Sequence, residues 1–118
     1  MTIRQGYVSI FKVLDNYFSH TDKDAELRPL LSDMNPYAFK EGYSADPAVW
    51  EDWQQCVEKV CGKNSDIASA QLKPLLFTFL EMYREEWGYE LDQVIRTLQN
   101  DPNLDSALHQ YASQQEQP

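Results

Sequence analysis

Apolar residues recur at three- and four-residue intervals over most of the chain, which is the spacing of one face of an α-helix. The first stretch predicts a helix over residues 2–19, and after a polar break at residues 20–24 a shorter helix stops at Asn35 and Pro36. Residues 2–34 are therefore predicted to form a helical hairpin. Its apolar positions are Ile3, Tyr7, Ile10, Phe11, Leu14, Tyr17 and Phe18, followed by Leu27, Leu30, Leu31 and Met34.

The second half of the chain repeats this arrangement, and residues 66–100 are predicted to form a second hairpin. The two hairpins suggest an internal duplication. Chance is the competing explanation, because the helical period alone aligns apolar positions. The matches are Ile10 with Leu76, Phe11 with Phe77, Leu14 with Leu80, Asp15 with Glu81 and Tyr17 with Tyr83, then Glu26, Leu27, Leu30, Leu31 and Met34 with Glu90, Leu91, Val94, Ile95 and Leu98.

Capping residues delimit a central helix over residues 46–61. The Asp46 carboxylate can accept hydrogen bonds from the free backbone N–H groups at the start of the helix. Pro47 occupies a first-turn position where no backbone N–H donor is needed. Gly62 is a typical helix terminator. The predicted buried stripe is Val49, Trp53, Cys56, Val57 and Val60.

Prolines set the remaining boundaries. Asp101 with Pro102 predicts a C-terminal helix over residues 102–113, with a fraying tail beyond it. Pro29 and Pro74 are expected in first turns, because a proline in a helix interior costs about 3 kcal/mol. The fourth helix should therefore span about residues 74–87, after a separate short turn or helix at residues 66–71.

These elements predict an all-α protein, a single-domain bundle of about five to six helices over residues 1–118 in which residues 35–45 connect the first hairpin to the central helix. A chain of 118 residues, 42% of them hydrophobic, can bury a core without disulfides or a structural metal. No alternating run indicates a sheet. No apolar stretch approaches the roughly 20 residues of a membrane span, and residues 1–6 lack a signal-peptide block, so we expect a cytoplasmic protein.

The chain is strongly acidic, with a formal net charge of −9. Such a surface repels nucleic acid phosphates and anionic lipids and favours a basic protein partner. Simple solubility is the competing explanation. The most acidic stretch runs from Glu81 to Asp105, and within it the candidate partner-binding residues are Glu81, Glu85, Glu86, Glu90 and Asp92.

The segment over residues 35–45 is unusually aromatic for a connection between helices. Tyr37, Phe39 and Tyr43 either cover the core as a lid or anchor a partner, and they are therefore also candidate binding residues. Trp50 and Trp87 could likewise either pack in the core or lie at its exposed edge.

Motifs for catalysis, cofactors and metals are missing from the sequence. The four glycines are isolated, so no phosphate loop or dinucleotide fingerprint is present. Cys56 and Cys61 diverge by about 140° on one predicted helix, and we expect both to be reduced and buried. We therefore predict a protein that is not an enzyme and has no cofactor or metal. Clustered carboxylates stay open as a catalytic alternative.

Three segments resemble small bacterial immunity proteins of polymorphic toxin systems, including contact-dependent growth inhibition systems. These segments are residues 11–18, residues 30–34 and the Ala-Asp-Pro-Ala-x-Trp-x-Asp-Trp run at residues 45–53. The resemblance spans about residues 7–98 but departs at residues 20–24. It implies a non-catalytic protein that binds a cognate toxin, often a basic nuclease, and blocks its active site or its access to a target.

Three functional hypotheses follow. The first is an immunity protein that neutralises a basic toxin, without binding nucleic acid or membrane. The second is a helical adaptor or regulatory subunit of a cytosolic complex. The third is a small carboxylate-dependent hydrolase, which predicts acids with raised pKa values in a concave pocket. The sequence does not indicate the oligomeric state.

Overall fold

Six α-helices and one short 3-10 helix form the described part of the computed structural model, which covers residues 1–21, 27–36, 46–63 and 66–116. This confirms the predicted all-α, single-domain fold. Within those ranges the extended structure is an isolated antiparallel bridge between Thr2 and Asp66, with no strand. The helices are α1 (Ile3–Thr21), α2 (Leu27–Met34), α3 (Pro47–Cys61), α4 (Leu72–Glu86), α5 (Asp92–Gln99) and α6 (Leu104–Glu116), with the 3-10 helix at Ser69–Gln71 before α4.

The central helix α3 begins and ends where its capping residues predict. The Asp46 carboxylate accepts from the Ala48 backbone N–H at 3.0 Å, and Pro47 lies in the first turn. Gly62 ends the helix with a φ of 77°. The predicted first-turn positions are also confirmed for Pro29 and Pro74, each the third residue of its helix.

Loss of the Asp46 cap should weaken α3 measurably. We expect Asp46→Ala to lower the free energy of unfolding by about 1 kcal/mol, because the Ala48 N–H loses its acceptor. Asp46→Asn retains an acceptor oxygen and should keep most of this stability. Urea unfolding followed by circular dichroism checks both, and equal losses in the two variants would assign the effect to charge instead.

Three of the predicted helices differ from the observed ones at their boundaries. α1 continues to Thr21 instead of stopping at Ser19, because neither glycine nor proline interrupts the chain there and polar residues alone do not end a helix. α6 spans Leu104–Glu116 instead of residues 102–113, so it starts two residues later and does not fray after residue 113. The Gln5 side-chain amide donates to the Gln115 carbonyl at 3.0 Å, which holds the end of α6 against α1. α4 occupies Leu72–Glu86 rather than residues 74–87.

The core lies where α1 packs along α6 and α3 packs along α4. Trp53 is fully buried at its centre, with its ring centroid 5.8 Å from that of Tyr7 and 6.0 Å from that of Phe79. The Trp53 indole N–H also donates to the Ile3 carbonyl at 3.0 Å, which joins α3 to the start of α1.

Both predicted hairpins bury most of the matched apolar positions of the duplication hypothesis, but Tyr17 and Phe77 are only half-buried. Ile10 and Leu14 of α1 are fully buried, as are their counterparts Leu76 and Leu80 of α4. An amphipathic helix of any origin buries such positions, so the duplication stays a prediction. None of the helices in the described ranges is long and apolar enough to cross a membrane.

Candidate functional site

The end of α4 and the start of α5 present the predicted acidic residues together. Glu81, Glu85 and Glu86 of α4 are exposed, as are Glu90 in the following turn and Asp92 at the start of α5. We call these five residues the acidic surface. The three glutamates of α4 line a shallow depression of about 130 Å³, whose other lining residues are Lys59, Thr78 and Met82.

Arg84 joins the two helices across this surface. Its guanidinium contacts the Asp92 carboxylate at 3.0 Å and the Glu85 carboxylate at 3.4 Å. The hydrogen bond to Asp92, with a smaller contribution from Glu85, raises the pKa of Arg84 and keeps it charged. Within the described residues, Glu81, Glu86 and Glu90 form no ion pair. Three of the five carboxylates therefore have no cation at ion-pair distance in this part of the chain, although Lys59 lines the same depression as Glu81 and Glu86.

Trp87 is the C-cap residue of α4, directly after Glu86 and three residues before Glu90. Its side chain is 57% exposed, so it lies at the surface and not in the core. It is the exposed large hydrophobic side chain of the described ranges. Gly88 follows it with a φ of 73°, a left-handed conformation that glycine adopts without steric penalty. The Tyr89 N–H then donates to the Tyr83 carbonyl at 3.2 Å, which turns the chain back over the end of α4.

The buried side chain of Tyr83 packs against the aromatic residues of this turn. The Tyr83 ring lies 6.4 Å from the Trp87 ring and 5.6 Å from the Tyr89 ring, centroid to centroid. The Tyr83 hydroxyl donates to the Asp52 carboxylate of α3 at 2.7 Å. Burial, together with this hydrogen bond to Asp52, raises the pKa of Tyr83. The position of Trp87 is therefore coupled to the packing of α3 against α4.

The other aromatic candidates divide into two groups. Tyr37, Phe39 and Tyr43 lie outside the described residues. Trp50 is half-buried, and its ring makes a T-shaped contact with the Tyr7 ring, with centroids 5.4 Å apart. Trp50 is therefore in contact with the core and differs from Trp87 in this respect.

The predicted thiols differ in burial. Cys56 is fully buried, as expected, whereas Cys61 is only half-buried because it lies in the last turn of α3. Burial first, and then the nearby Asp52 carboxylate, raises the pKa of Cys56 to about 12. Burial also raises the pKa of Cys61. Neither thiol is thus activated as a nucleophile near neutral pH.

Other titratable groups do not assemble into a recognisable reaction centre in the described ranges. Burial, and then the negative charge of Asp46, raise the pKa of Asp33 at the end of α2. A second depression of about 200 Å³ lies between α1, α5 and α6, and Asp101 is the acid that lines it. The Asp101 carboxylate there accepts from the Asn103 N–H at 2.8 Å and caps the turn before α6. No group of three or more metal-ligating side chains is arranged to hold an ion among these residues.

The five predicted acids are exposed, and their role in binding stays a prediction. The sequence did not indicate the proximity of Arg84 and Lys59 and left Trp87 undecided between core and surface. The position of Arg84 next to Glu85 is a local signal, but its contact with Asp92, eight positions away, depends on the turn between α4 and α5. Lys59 approaches the acids only through the packing of α3 against α4. Comparisons of the chain with protein-family models, with curated proteins and with solved structures gave no significant match.

Proposed function

We propose that this chain is an immunity protein that binds a basic bacterial toxin through the acidic surface around Trp87 and blocks the toxin's active site or its access to a target. The observation that carries the proposal is an exposed tryptophan in the turn that joins α4 to α5. These two helices and the turn also carry the five exposed carboxylates, three of which form no ion pair within the described residues. The sequence resemblance at residues 45–53 is its second support, although Asp46 and Trp53 in that run act in the fold.

Charge supports a basic protein partner over other partner classes. The net charge of −9 steers cationic surfaces toward the chain and repels nucleic acid. The acidic surface is exposed and partly fixed by the Arg84 contacts, so little ordering is required when a partner docks. An aromatic residue within a charged rim is a common arrangement at the centre of protein interfaces.

Co-expression tests the proposal directly. The chain is produced together with each candidate toxin domain encoded beside its gene, and both growth and complex formation are measured. We expect protection from toxicity and a complex that survives affinity purification. Absence of both would eliminate the immunity role. A weak, reversible complex with a housekeeping protein would favour the adaptor hypothesis instead.

Charge reversal should separate binding from folding. We expect Glu86→Lys with Glu90→Lys to slow association with the toxin domain at low salt by about tenfold or more, because both carboxylates steer a basic partner. Neither forms an ion pair in the described structure, so thermal stability should change little. Surface plasmon resonance at several salt concentrations, with thermal unfolding alongside, measures both effects.

The matched control reverses two exposed acids on another helix, Glu51→Lys with Glu58→Lys in α3. The two double variants change the net charge equally, so a loss confined to the Glu86 and Glu90 pair locates the interface. Equal slowing in both would indicate only a general charge effect. Reversal of Glu85 or Asp92 is less informative, because either change also breaks a contact with Arg84.

A further inference from the structure

The exposed indole of Trp87 is a surface feature that folding alone does not explain. At 57% exposure it leaves a large aromatic face in water, although Trp50 and Trp53 of the same chain are half-buried and fully buried. Large aromatic side chains left at a rigid surface are the usual anchors of protein interfaces. The question is which chemical group covers this ring.

We propose that Trp87 receives an arginine side chain of the basic partner, with the guanidinium group stacked on the indole and held by the neighbouring carboxylates. The proposal rests on the proposed function and specifies the chemistry of its central contact. Two features of the structure lead to it, namely the rigid support of the ring and the charge that surrounds it.

The ring is held in place before any partner binds. Gly88 permits the left-handed turn after α4, and the hydrogen bond from the Tyr89 N–H to the Tyr83 carbonyl closes it at 3.2 Å. The Tyr83 ring packs beneath Trp87 and is itself fixed by the 2.7 Å hydrogen bond to Asp52. A group that binds the indole therefore meets an ordered surface and loses little affinity to side-chain ordering.

The surrounding charge selects a cation. Glu86 precedes Trp87 and Glu90 follows three residues later, and neither forms an ion pair in the described residues. Trp87 is also the C-cap of α4, where the helix dipole presents partial negative charge. A cation over a tryptophan face is attracted by the ring, and carboxylates beside the ring add to this attraction.

Arginine fits this surface better than lysine or a second copy of the chain. A planar guanidinium can stack on the indole and still donate in its plane to two carboxylates, whereas an ammonium group is a compact and strongly hydrated charge. A second copy would bring one acidic surface against another, which like-charge repulsion disfavours.

Short peptides test the contact without the toxin. The probes are an arginine–alanine repeat peptide, its lysine counterpart and a citrulline counterpart that keeps the shape of arginine without its charge. Titrations follow the indole N–H signals of the three tryptophans by NMR. The Trp87 signal is assigned by its loss in Trp87→Phe, and the buried Trp53 indole, which donates to Ile3, is the internal reference.

We expect the arginine peptide to shift the Trp87 signal and leave the Trp53 signal unchanged. It should bind several-fold more tightly than the lysine peptide, and the citrulline peptide should cause no shift. Trp87→Ala should weaken arginine-peptide binding by about tenfold and Trp87→Phe by less. Unchanged affinity in Trp87→Ala, equal shifts with citrulline, or a Trp87-dependent self-association that excludes the peptide would each overturn the proposal.

The same variants separate this inference from the immunity role. If Trp87→Ala binds the toxin domain and protects cells as well as the unmodified chain, the immunity role stands and the Trp87 contact is wrong. If arginine peptides bind through Trp87 but no toxin is neutralised, the contact stands and the immunity role fails. Thermal unfolding of Trp87→Ala confirms that the variant is folded.

Discussion

Trp53→Ala is expected to lower the free energy of unfolding by about 3–5 kcal/mol, the usual effect of truncating a large buried aromatic residue. Trp53 is fully buried, its ring packs against Tyr7 and Phe79, and its indole N–H donates to the Ile3 carbonyl. Truncation removes contacts with α1 and α4 together. Small domains have only about 5–15 kcal/mol of stability, so the variant should be near the limit of folding.

Thermal and urea unfolding measure this effect against two other substitutions. The melting temperature of Trp53→Ala should fall by roughly 10–20 °C for a chain of this size. Trp53→Phe keeps an aromatic ring but loses the bond to Ile3, and should be intermediate. Trp87→Ala removes an exposed ring and should change stability by less than about 1 kcal/mol. Comparable losses in Trp53→Ala and Trp87→Ala would contradict the assignment of Trp53 to the core and Trp87 to the interface.

Local sequence signals predicted the helices that carry their own start and stop residues. Asp46, Pro47 and Gly62 specify α3 without reference to the rest of the chain, and the observed helix agrees with them. The end of α6 was wrong because it depends on the contact between Gln5 and Gln115, which lie 110 residues apart. A local pattern has no access to such a contact.

The candidate site shows the same division. The exposed acids of α4 were predictable because Glu81 and Glu85 are separated by one helical turn and lie opposite the apolar stripe. The exposure of Trp87 was not predictable, because Trp87 follows the end of α4 and helical periodicity does not assign a face to residues outside a helix. The support from Tyr83 depends on its hydrogen bond to Asp52, which requires α3 to pack against α4.

The stability of the protein is expected to fall steeply above pH 9, because the buried Cys56 thiol must stay protonated in the folded state. Its pKa is raised from 9.0 to about 12, first by burial and then by Asp52. The unfolded chain therefore loses this proton first as the pH rises. The contribution of Cys56 is complete below about pH 9 and is lost between pH 9 and 12, by at most about 1.4 kcal/mol per pH unit.

Tyr83 should add to this loss at higher pH. Its pKa is raised above the ordinary 10.0 by burial and by its hydrogen bond to Asp52, so its contribution begins to fall above pH 10. The two groups share one neighbour, since Asp52 opposes the ionisation of both. The loss of unfolding free energy above pH 9 therefore depends on the packing between α3 and α4, which also supports Trp87.

Urea unfolding at pH 8, 9, 10 and 11 under reducing conditions tests both contributions. Cys56→Ala should flatten the loss of stability from pH 9 upward, and Tyr83→Phe should flatten it only above pH 10. Cys61→Ala is the matched control, because that thiol is half-buried and its removal should change the slope less. Parallel pH curves for Cys56→Ala and the unmodified chain would mean that the thiol ionises as readily in the folded state as in the unfolded one. In that case neither burial nor the Asp52 carboxylate would disfavour the Cys56 thiolate in the folded protein.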